Sequence, residues 1–301
     1  MLGRHSFQRP FTKCVLRSNI ARMTVTTFHR RKLPDNLLPL NSPLGRERFR
    51  ESLLKGDMEC FFPLSEQFIT QSEPSFCSLS SLAMVLNALD HDPQRTWKVL
   101  PHIIVYTRML SLIPLQGVWR WVSEETLLCH AEKMCVHSAD KIRTEGMDFR
   151  DFEALGHCHG VQIQSFGMTT TTLTAFRELV LRTSRSAEKH SFVICNFSRQ
   201  ELCQTGDGHF SPIGGYHEAT DSVLILDVAR FKYPPYWVSI ESLWSAMLVL
   251  DGKTGSPRGY FLVSASAPRP TDDSGHHHHH HEHQSQCGDK ACVENTQTTT
   301  L

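Results

Sequence analysis

Between residues 71 and 89 the chain reads QSEPSFCSLSSLAMVLNAL, and its apolar positions 79, 82, 83, 86 and 89 recur with the spacing of one helix face. The pattern predicts an amphipathic helix from about residue 78, stopped by Asp90 and Pro93. RERFRESLLKGDMEC, within 45–60, predicts a second helix ended near Gly56. Ser123–Cys135 opens with Ser123 and Thr126 spaced as a capping box and with acids in its first turn. Phe149–Cys158 and Thr172–Thr183 are further helical segments. After them the period changes. SFVICNF (191–197), HFSPIGGYH (209–217) and SVLILDVA (222–229) are short runs rich in β-branched and aromatic residues, parted by turn formers, and they predict strands. Helices first and an antiparallel sheet afterwards make an α+β plan. The stretch VLPHIIVYTRMLSLIPLQ (99–116) fits neither period, is broken by Pro101 and Pro114, and reads as an insertion too short and interrupted to span a membrane.

Both ends of the chain differ from this domain, placed at 35–264. Residues 1–34 contain no acid, and they mix eight Lys and Arg with Ser, Thr and Phe. No apolar h-region follows, so a secretory signal is excluded. The composition is that of a mitochondrial transit peptide, with a disordered basic arm as the alternative. Met23 lies inside it, so a chain started there stays in the cytoplasm while the full chain goes to the mitochondrion. From Ala265 to Leu301 the sequence is polar, aperiodic and rich in Ser, Thr and Pro, a disordered tail. His276–His281, His283, Cys287 and Cys292 offer it metal donors, but the Cys spacing fits no common zinc pattern.

Lys+Arg and Asp+Glu both total 31, so net charge gives no argument for a nucleic acid or an anionic membrane as partner. Ten cysteines without framework spacing suit reduced thiols rather than a secreted disulfide scaffold. One of them is placed for chemistry. Cysteine is among the most buried residue types, so a small packed thiol is the default reading of Cys77. At a helix N-terminus, however, the dipole and unpaired N–H groups stabilise a thiolate, and the residue's own N–H faces a developing oxyanion. Gln71, six residues earlier, can add a second oxyanion donor. His209 starts one strand and Asp227 ends the next. If the chain reverses at 218–221, a hairpin brings them within a residue or two of opposite each other. Asp227 then fixes the imidazole tautomer, and His209 forms an ion pair with the Cys77 thiolate. Gly206 and Gly208 leave room for substrate. Helix-initial Cys, strand His and Asp on the adjacent strand is the order found in papain-like cysteine hydrolases.

QSEPSFCSLSSLAMVLNAL, GHFSPIGGY and LILDVARFKYPPYWV, with FHRRKLP (28–34) and WRW (119–121), resemble the phytochelatin synthase family over roughly residues 28–264. The resemblance implies a papain-like fold and glutathione γ-glutamylcysteinyltransferase activity. It places the catalytic residues on Cys77, His209 and Asp227 and the oxyanion glutamine on Gln71. It also implies no organic cofactor and stimulation by heavy-metal ions (Cd²⁺, Zn²⁺, Cu²⁺), chiefly as metal–glutathione thiolates. Glutathione and phytochelatins are the implied substrates, and a homodimer is compatible with it. Because both substrates carry carboxylates, Arg230 is the candidate guanidinium for binding them, with a structural salt bridge as its alternative role. Residues 99–116 interrupt the family's short passage into WRW, the cysteine-rich C-terminal domain of plant members is reduced to the tail, and the presequence is an addition. Two rivals remain at this stage: a hydrolase using the same acyl-enzyme with water as acceptor, and a metal-buffering protein built on the His tract and the scattered cysteines.

Overall fold

The computed structural model describes residues 31–93, 120–133, 138–187, 191–255 and 258–265. All of them belong to the first of two compact units, Met1–Ser266 and Ala267–Leu301. Residues 1–30 with Met23, the expected insertion at 99–116, and the tail with its histidine tract, Cys287 and Cys292 lie outside the described residues.

The chain enters through a two-residue strand β1 (Leu38–Pro39), α1 (Pro43–Leu54) and α2 (Phe61–Glu66). Then come α3 (Cys77–Ala88), α4 (Glu124–Lys133), α5 (Ala139–Glu145) and α6 (Phe149–Cys158). The remainder is β2 (Gln162–Gly167), α7 (Leu173–Arg185), β3 (Ser191–Ser198), β4 (Gly208–His217), β5 (Ser222–Ile225), β6 (Tyr236–Ser239), α8 (Ile240–Leu248) and β7 (Gly259–Ser264). The helix boundaries follow local chemistry. Ser42 accepts from Gly45 N–H ahead of Pro43 at the start of α1, and Gly56, at φ +77°, turns the chain away after its end. Ser123 and Thr126 bond reciprocally, Thr126 filling the role that Glu usually takes in a capping box. Asp148 and Asp151 make the same box for α6, and Thr172 caps α7.

Seven strands form an antiparallel sheet in the order β1-β6-β5-β4-β3-β7-β2. Both faces are covered. Phe192, Ile194, Phe210, Leu224, Trp237, Phe261 and Val263 join α3, α4, α5 and α6 in one core. Val193, Cys195, Phe197, Val223, Ile225, Tyr260 and Leu262 join α7 and α8 in the other. Double coverage is why these strands read as continuous apolar runs instead of alternating ones. It also separates the observed order from the expected helices-then-sheet order: β2 sits among the helices in sequence yet forms a sheet edge, and α7 and α8 are interleaved with strands to cover the second face.

Two expectations change. α3 is not amphipathic: every residue from Ser78 to Ala88 is buried, serines included, because the helix runs through the first core. Its polar positions are accommodated by hydrogen bonds, such as that from the Ser81 hydroxyl to Phe210 O at 3.1 Å. The 222–229 strand stops at Ile225. Beyond it Leu226 N–H still reaches Pro212 O, but Asp227 turns out of the ladder to meet side chains.

Candidate active site

The site forms where the start of α3 meets the start of β4. Phe76, the N-cap of α3, makes no side-chain cap, and Cys77 is the first residue of the helix. Beneath it, Phe210 stacks on Phe152 at 5.0 Å between ring centres, and Phe152 packs on Phe261 at 4.5 Å. This aromatic layer holds β4 against the helical side. The backbone of Phe210, the residue after His209, and that of Ser78 both act to favour the ionised form of Cys77. Cys77 and His209 line one cavity of about 150 Å³, together with Gln71, Arg199, Gly206, Asp207 and Lys232. On its other side Cys77 opens on a second cavity of about 320 Å³ between the 144–148 loop, Asn196, Asp207 and the 251–253 turn.

His209 and Asp227 meet as the hairpin expectation requires. A 3₁₀ turn at Glu218–Thr220 reverses the chain, and a register shift between Ile213 and Tyr216 draws Asp227 diagonally toward His209. His209 Nε2 lies 2.9 Å from Asp227 Oδ1, with Ser211 Oγ at the same distance. A proton on Nε2, donated to the carboxylate, leaves Nδ1 as the basic nitrogen. Asp227 is fully buried, and its Oδ1 also accepts from Ala229 N–H and from Arg199 Nη2, each at 2.9 Å. Arg199 Nη1 lies 2.9 Å from Oδ2.

Arg199, which the sequence reading missed, is therefore a central group of the site. It is 3 % exposed, and its guanidinium lies 5.3 Å from the centre of the Tyr233 ring. Its carboxylate partner is distant in sequence and no local motif encloses it. The only sequence signal was an arginine directly after the apolar run of β3. Burial alone would raise the Asp227 carboxyl, but the charges of His209 and Arg199 and their hydrogen bonds hold it far below the usual carboxylate range. Burial, aided by the Arg199 charge, pushes His209 down to about 4 against the opposing pull of Asp227. Burial pushes the Cys77 thiol up, with the backbone of Phe210, the Arg199 charge and the backbone of Ser78 acting against that rise. The side chain keeps some surface on the cavity, yet the sulfur sits deep between helix and sheet. Desolvation thus works against the expected thiolate–imidazolium pair at both groups, and Arg199 already balances the charge of Asp227.

The other expected residues fare differently. Gln71 reaches the cavity, but its Nε2 donates to Glu73 O at 2.7 Å and to Pro74 O at 2.9 Å, and its buried Oε1 has no partner. Both amide hydrogens are thus committed to its own loop. Arg230 lies over Phe68, 4.7 Å from the ring centre, and lines neither cavity beside Cys77. Within the same DVARFKYPP stretch the turn Ala229–Tyr233 sends Lys232 into the site instead. The expected space at the glycines is occupied. A Cβ on Gly206, which holds φ +107°, would meet Lys232 Nζ at 2.9 Å, and one on Gly208 would meet the Arg258 guanidinium at 3.3 Å. These glycines admit cations to the site. Among the described residues Cys60, Cys77, Cys158 and Cys195 are free thiols. Burial pushes Cys60 up to about 12, and of these four thiols it is Cys77 that lines the two cavities. Among the described residues no group of three or more His, Cys, Asp or Glu side chains is placed to hold a metal ion, and no helix is long and apolar enough to cross a membrane.

The phytochelatin synthase family profile matches residues 28–260. A Lotus japonicus protein named glutathione gamma-glutamylcysteinyltransferase 1 is 41% identical over 243 residues, 80% of this chain and 43% of the relative. Its Triticum aestivum namesake is 42% identical over 250 residues, 83% of this chain and 45% of its own. The Schizosaccharomyces pombe glutathione gamma-glutamylcysteinyltransferase is 37% identical over 237 residues, 79% of this chain and 51% of its own. The chain spans about half the length of these relatives. Because the matched segment contains the whole of the site around Cys77, His209 and Asp227, the chain belongs to the phytochelatin synthase family.

Proposed function

We propose that the protein is a glutathione γ-glutamylcysteinyltransferase with a papain-like domain, and that Cys77, His209 and Asp227 are its catalytic residues. The observation that carries this reading is the shared cavity of Cys77 and His209, with His209 Nε2 held 2.9 Å from Asp227 Oδ1. The Cys77 sulfur attacks the carbonyl carbon of the Cys–Gly bond of glutathione while its proton passes to His209 Nδ1. The Cys77 N–H stabilises the oxyanion, and Gln71 joins it once its amide turns away from Pro74 O. Collapse breaks the C–N bond, His209 returns its proton to the departing glycine amine, and γ-Glu-Cys remains as a thioester on Cys77. The α-amine of a second glutathione, or of a phytochelatin, then attacks the thioester. Its proton passes through His209 to the released Cys77 sulfur, and the product is (γ-Glu-Cys)n-Gly. Lys232 supplies positive charge for a carboxylate of the acceptor, taking the place foreseen for Arg230.

Heavy-metal ions enter this scheme as thiolates of the glutathione substrate, and the reaction uses no organic cofactor. Residues 1–22 direct the full chain to mitochondria, and a chain started at Met23 remains in the cytoplasm.

Mass spectrometry of products from glutathione, with and without Cd²⁺, tests the transfer. Oligomers of γ-Glu-Cys with stoichiometric glycine are expected. Free γ-Glu-Cys alone would make the protein a hydrolase, and glycine release by Cys77→Ser at a tenth of the normal rate or more would remove Cys77 as nucleophile.

A further inference from the structure

Glu124 opens α4, remote in sequence from the residues of the site, yet its carboxylate is directed at the segment that carries Cys77. Oε1 accepts from Ser72 N–H at 3.2 Å and contacts the Ser80 hydroxyl. Oε2 contacts the Ser72 hydroxyl and lies 3.3 Å from the same N–H. Ser72 directly follows Gln71, and Ser80 lies one turn into α3, so a single carboxylate grips the chain on both sides of the nucleophile.

Glu124 is itself held rigidly. Asn87, at the far end of α3, bonds both backbone groups of Val122: Nδ2 donates to Val122 O at 2.9 Å, and Oδ1 accepts from Val122 N–H at 3.0 Å. The Ser123–Thr126 box fixes the next residues, and Val122, Leu127 and Leu128 pack into the first core beside α3. The start of α4 is thus tied to both ends of α3. The N-cap of α3, Phe76, offers no side-chain acceptor, so the entry of the chain into the nucleophile helix lacks the local device that fixes α1, α6 and α7. A carboxylate from a neighbouring helix takes that role.

We propose that Glu124 is a positioning residue for the reaction: acting through Ser72 and Ser80, it sets where the Cys77 sulfur and N–H stand relative to His209 and the two cavities. This inference rests on the reading of Cys77 as the nucleophile. Misplacing a reacting atom by about 1 Å costs on the order of 10²-fold in rate, while substrate binding in the cavities is left in place.

The test compares Glu124→Ala, Glu124→Gln and Ser80→Ala in the full chain by steady-state glycine release from glutathione and by the rate of Cys77 alkylation with iodoacetamide across pH. In Glu124→Gln, Oε1 still accepts from Ser72 N–H and Ser80, and the amide donates to the Ser72 hydroxyl oxygen. We expect Glu124→Ala to lose about 10- to 100-fold in kcat with KM within about twofold of wild type, Glu124→Gln to stay within about fivefold, and Ser80→Ala to fall between them. Cys77 alkylation should shift in the same order. Wild-type kcat in Glu124→Ala, or a rise in KM alone, would overturn the inference. Equal losses in Gln and Ala variants would also overturn it, by assigning the effect to charge. If Glu124→Ala does not fold, Glu124→Gln and Ser80→Ala still decide: both at wild-type kcat and alkylation rate would overturn it. Glycine release by Cys77→Ala would instead overturn the catalytic reading, and alkylation of Cys77 in the Glu124 variants would still report the positional effect.

Discussion

Replacing Asp227 with Asn separates what the carboxylate does for the fold from what it does for the chemistry. The side chain is fully buried, and it is the counter-charge of Arg199, itself 3 % exposed. Asn keeps one oxygen for Ala229 N–H but turns an NH₂ toward the guanidinium, donor against donor, and leaves a buried cation unpaired. Removing one partner of a buried pair costs about 3–5 kcal/mol. For a domain of this size each kcal/mol lowers Tm by about 2–4 °C, so a fall of roughly 6–20 °C is expected. The remaining folded enzyme should lose on the order of 10²–10⁴ in glycine release, because no carboxylate fixes the His209 tautomer or stabilises the imidazolium formed in the reaction. Thermal unfolding followed by circular dichroism, and glycine release measured well below the lowered Tm, read the two effects separately. The double variant Asp227→Asn/Arg199→Met removes the unpaired charge and should recover most of the stability but none of the rate. A single variant with an unchanged Tm would show that Arg199 does not depend on Asp227. One within tenfold of wild-type rate would remove Asp227 from the catalytic machinery.

His209 also predicts a pH dependence of stability. Its folded value, about 4, lies below its unfolded value near 6.5, so between them the unfolded chain binds a proton that the native site refuses. Native stability should fall by up to ~1.4 kcal/mol per pH unit from about 6.5 down to about 4, a loss absent in His209→Gln; denaturant titrations at several pH values check it. Truncation after residue 265 should leave transfer and its stimulation by Cd²⁺ intact, with at most a modest shift in dose, since the proposed chemistry lies between 71 and 232. A truncated enzyme that released glycine but no longer responded to metal at any dose would route activation through the tail. Reporter fusions of the full chain and of a chain begun at Met23 should divide between mitochondria and cytoplasm, and a uniform cytoplasmic signal from both would reduce residues 1–22 to a basic arm.

The sequence by itself determined the elements whose boundaries are set by neighbours in the chain. Caps at Ser123–Thr126 and Thr172 and the turn at Gly56 act over a few residues, so their helices were legible. The same holds for Cys77 at the head of α3 and for His209 and Asp227 on neighbouring strands of one hairpin, although the register shift that makes their contact diagonal was not legible. Coverage of both sheet faces was decided only by the tertiary structure. It buried α3 on every side, and it set β2 at a sheet edge beside β7, a placement that no short-range pattern encodes.

The electrostatic state of the site belongs to the tertiary level as well. Arg199 finds Asp227 across 28 positions, Lys232 enters past a glycine, and Glu124 reaches Ser72 across 52. A helix N-terminus favours a thiolate, and that much is local. Whether the thiol in fact ionises depends on how deeply the folded chain buries it and which cations it brings near. In this protein burial pushes the Cys77 thiol up, against the backbone of Phe210 and Ser78 and the Arg199 charge, and pushes His209 down to about 4.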